Sequence, residues 1–190
     1  MPKYFDFDVA LDDIEPRLWR EFLLVNTATF GDLHCAIQDA CGWEYDHMFE
    51  FQTGRGRQAG PIAGIPGDSG WDEPVPDAER VKLASFFTRA GKKCTYVYDL
   101  GDNWHHTVRL KRTVESDEKF KRRLIGGERA FPPEDCGGIW GYYRCLVALG
   151  VLKEEDFRFH KDDLEWAREW VGDWRPDVFN LAKTKKRFNR

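Results

Sequence analysis

The 190-residue chain is 42% hydrophobic and 33% charged and carries a net charge of −4. A chain of that length can bury a core without disulfides or a structural metal, so one folded domain is expected and disorder is excluded. The acidic balance argues against binding nucleic acid over the whole surface, and no apolar run approaches the roughly 20 residues of a membrane span.

The opening segment, MPKYFDFDVALDD, has acids where a secretion signal has its apolar stretch, which makes the cytoplasm the expected location. From Tyr4 to Leu11 the chain alternates, with Phe5, Phe7, Val9 and Leu11 set against Tyr4, Asp6, Asp8 and Ala10. That is the pattern of a half-buried strand. A turn over 12–16 and a second strand over Leu18–Val25 complete a hairpin. Thr29, with Asp32 three residues on, forms a capping-box pattern; Phe30, Leu33, Ile37, Ala40 and Cys41 follow helical spacing up to Gly42. His34, beside this stripe, fits a packed or surface residue better than a ligand. Met48–Phe51 suits a third strand, entered through Tyr45, Asp46 and His47.

Residues 53–78 are rich in glycine and proline and lack periodicity, so they read as a long loop with Trp71 as its large anchor. A short helix is expected within Arg80–Arg89. Cys94–Tyr98 and Trp104–Thr113 form a hairpin around the loop 99–103. Symmetric pairing sets Tyr98 opposite Trp104, Tyr96 opposite His106 and Cys94 opposite Val108. His106 then shares a face with Trp104, Val108 and Leu110, while His105 points the other way. The prolines and glycines of 129–138 exclude regular structure there, and a helix is expected from Tyr142 to Leu149, stopped by Gly150. Asp163–Trp174 places Ala167, Trp170, Val171 and Trp174 on one helical stripe, with Trp166 at its edge, an arrangement typical of core. Beyond Pro176, Asp177 is placed to cap a last helix through Val178 and Leu181 into a basic tail of Lys183, Lys185, Lys186, Arg187 and Arg190.

Two runs concentrate the polar chemistry: Tyr96–His106, reading YVYDLGDNWHH, and Glu128–Tyr142, reading ERAFPPEDCGGIWGY. A core uses their aromatics but has no need of the carboxylates, histidines and cysteine beside them, because buried polar groups are costly without partners. The two runs are therefore expected to meet in space. The five cysteines, Cys35, Cys41, Cys94, Cys136 and Cys145, are odd in number and contain no CxxC. Free, mostly buried thiols are expected rather than a disulfide framework or a structural zinc site.

With RLWREFLLV and GWEYDHMFEF upstream, these runs resemble the plasmid pRiA4b ORF-3-like family from about Tyr4 to Leu149. The resemblance implies a stand-alone α+β domain, found on plasmids, in mobile elements and in chromosomes, with no established activity. The family pattern falls on His47 and Phe51, on Tyr98, Asp99, Gly101, Asp102, Trp104 and His106, and on Gly127 and Glu128. It continues through Pro133, Glu134, Asp135, Cys136, Gly137, Gly138, Gly141 and Tyr142. Leu100 stands where the family usually carries Phe, and His105 where it often carries Glu. Some relatives are labelled resolvase-like. A serine recombinase needs a nucleophilic serine in an arginine-rich setting, whereas Ser69, Ser85 and Ser116 lie in a loop, an expected helix and a charged linker.

No Walker loop, GxGxxG, HExxH, GxSxG or EF-hand pattern is present. The expected fold is α+β, a mainly antiparallel sheet in hairpin–helix–strand–hairpin order, β-grasp-like, with helices on one face and added C-terminal helices. Residues 1–150 are expected to form the ORF-3-like domain and 151–190 a helical extension packed on it. The expected function is a ligand- or partner-binding module with a polar pocket of His47, Asp99, Asp102, Trp104, His106, Glu128, Glu134, Asp135 and Cys136. One alternative is a metal-dependent hydrolase, with a divalent ion on Asp99, Asp102, His106 and Glu128. Another is an accessory DNA-binding protein of a mobile element that uses the basic tail. Against any site stands the plain possibility that Asp99 and Asp102 only cap backbone amides of their turn, and that Glu134 and Asp135 cap the following helix. A thiolate at Cys136 with His106 as base finds no local support. Binding is favoured over catalysis, and a protein or small-ligand partner over nucleic acid or membrane.

Overall fold

The computed structural model describes residues 1–56, 59–67 and 74–189; Ser69, Trp71 and Arg190 lie outside them. The alternating N-terminal segment forms β1 (Lys3–Leu11), which turns back into β2 (Trp19–Val25) with Phe7 opposite Phe22. Helix α1 (Phe30–Cys41) starts at the capping box: the Thr29 hydroxyl accepts from the Asp32 amide, and the Asp32 carboxylate accepts from the Thr29 amide. It stops at Gly42, whose φ of 92° is accessible to glycine without a Cβ clash. Strands β3 (Phe49–Gln52) and β4 (Pro61–Gly64), the short helix α2 (Leu83–Phe86), and β5 (Lys93–Tyr98), β6 (Trp104–Glu115) and β7 (Arg122–Glu128) follow. The chain closes with α3 (Gly138–Ala148), α4 (Lys161–Trp170) and α5 (Leu181–Phe188). The strands form one sheet in the order β4-β3-β5-β6-β1-β2-β7, and every pairing is antiparallel. Seven strands paired in this way extend the sheet beyond the expected β-grasp-like order.

The core lies on the Phe5–Phe7–Phe22 face. Phe30 of α1 meets Phe51 and Phe87, and Phe188 of α5 meets Phe22, with ring centroids 4.9–6.0 Å apart. Full burial of each such ring contributes roughly 1.5–3 kcal/mol.

β1 is buried on both faces, not half-buried as its alternation predicts. It lies between β2 and β6, and long basic side chains of its neighbours fold over the polar face. Arg112 donates to Asp6 at 3.0 Å, Arg17 to both Asp8 oxygens at 2.7 Å, and Lys111 to Glu21 at 2.5 Å. Burial, followed by the nearby Glu21 charge, raises the Asp6 carboxyl above the usual range.

The β5–β6 register is the expected one, with Tyr98 opposite Trp104, Tyr96 opposite His106 and Cys94 opposite Val108. Other expectations need correction. Within residues 53–78 the chain forms β4, paired to β3, and Gly64 bridges to Asp77. β7 lies outside the expected elements: of RRLIGGE only Leu124 is buried, so no alternation marks it, and backbone pairing to β2 holds it. Helix α3 begins at Gly138 rather than Tyr142. Helix α4 buries Leu164 and Ala167, while Trp166 and Trp170 stack on its outside, 47% and 37% exposed. The last helix starts at Leu181, capped by Asn180 and not by Asp177. Among the described residues no helix is long and apolar enough to cross a membrane.

Candidate functional site

The apex of the β5–β6 hairpin is a tight loop in which Asp99 (φ 55°) and Asn103 (φ 56°) both adopt the left-handed conformation, which Asp and Asn tolerate better than most residues. Asp99 Oδ1 accepts from the amides of Gly101 (2.9 Å) and Asp102 (3.2 Å), so one carboxylate oxygen does cap its own turn. The other oxygen, Oδ2, faces His47 Nδ1 at 3.8 Å. β3 pairs with β5 with Phe49 opposite Tyr98, and this register carries His47, two residues earlier, alongside Asp99.

The diproline–diglycine run packs onto the same apex. Asp135, left-handed at φ 59°, accepts a 2.7 Å bond from His47 Nε2. Glu134 accepts from the Tyr98 hydroxyl and from the Glu44 amide. Asp102 Oδ2 accepts from the Gly137 amide at 3.1 Å. Glycines make this approach possible. A Cβ on Gly138 (φ 66°) would lie 2.8 Å from the Asp102 carbonyl oxygen of the apex, and within the loop's own junction with α3 one on Gly141 would lie only 1.7 Å from the Cys136 carbonyl oxygen.

His47, Asp99 and Asp135 thus offer three ligand atoms within 4.8 Å of one another. Partial desolvation lowers the His47 imidazole, but Asp99 and then Asp135 outweigh it, so its pKa lies above the ordinary histidine value. An imidazole with two carboxylates is a donor set that suits Zn²⁺ or Mn²⁺.

The remaining candidates lie elsewhere or are otherwise engaged. His106 is fully buried, stacked on Phe131 at 6.0 Å with Trp43 and Tyr96 around it, and neither ring nitrogen has a partner among the described residues. Burial pushes its pKa down to about 3, which keeps it neutral. Trp104 is core, packed near Trp43. The Cys136 thiol is buried; its hydrogen bond with Cys145, followed by burial, pushes its pKa up, the reverse of a reactive thiolate. Glu128 ends β7, opposite Trp19, whose indole donates to it at 3.3 Å. Asp102 is engaged by Gly137. Of the expected metal set, only Asp99 belongs to the three-donor group. His47 and Asp135 complete it, and the β3–β5 register that places His47 leaves no local mark in the sequence.

The chain matches the family model for plasmid pRiA4b ORF-3-like proteins over residues 3–183, past Leu149 and into α5. It is 36% identical over 159 residues to the uncharacterized protein y4hQ of Sinorhizobium fredii, covering 83% of this chain and 77% of that one. A crystal structure of MM3350, a protein of unknown function from Methanosarcina mazei Go1, is similar with a TM-score of 0.79 and 30% identity over 97% of both chains. The extent of these matches, together with a fold that brings the two characteristic motifs against each other, leads to one conclusion: the chain belongs to the plasmid pRiA4b ORF-3-like family.

Proposed function

We propose that the protein is a binding module whose polar corner, built from the YDLGDNWHH and ERAFPPEDCGG segments, holds a divalent cation on His47, Asp99 and Asp135. One observation carries this reading: three donors from segments far apart in sequence converge within 4.8 Å on backbone that is left-handed at both aspartates. Strained residues kept by their surroundings tend to gather at functional positions. Asp102, Glu134 and Tyr98 act through others, tying the loops that carry the donors. Transition ions such as Zn²⁺ or Mn²⁺ suit this set better than Mg²⁺, which prefers oxygen ligands alone.

Calorimetric titration of the full chain with ZnCl₂ and MnCl₂ tests the reading. One ion per chain is expected, with protons released near neutral pH because His47 must deprotonate to bind. Asp135→Asn and His47→Ala should each weaken binding at least about tenfold, the usual scale for losing a ligand or its orienting partner. Absence of heat, and of any metal-induced rise in melting temperature, would remove the cation from the proposal.

A further inference from the structure

Beside the polar corner, a cleft of about 470 Å³ opens between the C-terminal end of α1, residues 130–134 and the stretch 173–187. Its apolar lining includes Phe131, Pro132, Pro133, Trp174 and Phe179. On its floor lies Arg20, 2% exposed and the one buried lysine or arginine among the described residues. The guanidinium is held between the Phe179 ring at 3.9 Å and the Phe131 ring at 4.7 Å. It donates to the carbonyls of Ala40, Trp19, Glu128 and Arg129 at 2.8–3.1 Å.

All four acceptors are neutral, and among the described residues no carboxylate forms an ion pair with Arg20. Buried charges ordinarily have a counter-charge, and burial alone lowers this guanidinium to about 10. The walls add Arg175, Lys183 and Arg187. The acids on the same walls are Asp39, Glu134 and Asp173. Asp39 is already shared by Arg187 and Arg122, and Glu134 is held by Tyr98 and Glu44 of the polar corner. Asp173 is exposed and next but one to Arg175. The floor therefore has excess positive charge beneath an apolar, ring-lined chamber large enough for a small molecule.

We propose that this cleft binds a small molecule that joins an anionic group, phosphate or carboxylate, to an apolar ring, with the anion held by the Arg20, Lys183 and Arg175 field and the ring against Pro133, Trp174 and Phe179. The site does not depend on the cation at His47, Asp99 and Asp135.

Calorimetry on the full chain with phenyl phosphate, benzoate, inorganic phosphate and phenol tests it. At least one aromatic anion should bind one per chain, at least about tenfold tighter than inorganic phosphate and phenol, since both halves contribute. Whichever of phenyl phosphate and benzoate binds tighter identifies the anion. Reversing the two exposed charges, Arg175→Glu with Lys183→Glu, should cost at least about tenfold more and reduce the salt dependence. His47→Ala should leave it unchanged, which separates this result from the cation test. Three outcomes overturn the proposal: no saturable binding of either aromatic anion, binding no tighter than inorganic phosphate, or binding indifferent to the double reversal.

Discussion

The stem and the apex of the β5–β6 hairpin share one motif and yet meet opposite fates. In the stem, Trp104 and His106 are core, enclosed by Trp43, Tyr96 and Phe131. At the apex, a few residues away, Asp99 remains accessible to His47 and, through it, to Asp135. Both parts carry a titratable group that looks functional in sequence. What separates them is solvation: the stem imidazole is held neutral by burial, whereas His47, brought against the apex from the segment before β3, is held toward its charged form by Asp99 and Asp135. A histidine in an unusual motif therefore says little until its burial is known.

The largest expected effect breaks the seating of the diproline–diglycine loop on α3, the loop that carries Asp135 to the apex. Gly141→Ala places a methyl group 1.7 Å from the Cys136 carbonyl oxygen, an overlap only backbone movement can relieve. A loss of about 3 kcal/mol or more is expected in urea unfolding. An unchanged unfolding midpoint would mean that the loop does not pack on α3 as described.

Acid sharpens the contrast between the two histidines. His106 titrates near its ordinary value of about 6.5 when unfolded and near 3 when folded, so the unfolded chain binds the extra proton between those limits. Stability is fully present above about pH 6.5 and falls by about 1.4 kcal/mol per pH unit from this group as pH drops toward 3. His34, lowered by burial to about 4 and bonded at 2.7 Å to the Tyr96 hydroxyl, adds to the loss in the same direction. His106→Phe should unfold within about 1.5 kcal/mol of the parent at pH 7.5 and lose clearly less between pH 7 and 5. Parallel pH curves for the two proteins would refute this account of His106.

Asp135→Asn should have the smallest effect on folding, under about 1 kcal/mol, because the pair is largely solvated. Its signature is local. The His47 pKa, read from imidazole chemical shifts, should fall toward or below the ordinary value, while the His106 resonances do not move. The parent's His47 contribution has the opposite sign to that of His106: it is present below the unfolded pKa and lost as pH rises through the folded one.

Much of the architecture was legible because it is written in local patterns. The capping box at Thr29 and Asp32, the left-handed stop at Gly42 and the pairing of Tyr96 with His106 each depend on residues close in sequence. β7 was hidden because an edge strand with one buried side chain needs no alternation. The expected stripe holds at Ala167 and Val171, which are buried with Leu164, but not at Trp170, which stacks outward on Trp166, because helical spacing defines a stripe without fixing which of its edges faces the core. At the site, the sequence marked the two motifs but not which of their side chains converge, since nothing in it distinguishes a buried His106 from an accessible His47.

By itself, the chain determined its elements where side-chain period and turn chemistry act over a few residues, and the unusual composition of two motifs. Tertiary structure alone decided the strand order, which carboxylate faces which imidazole, and which arginine is buried with no ion-paired carboxylate among the described residues. These are long-range outcomes: they follow from which surfaces exclude water together, and that is a property of the packed molecule rather than of any segment.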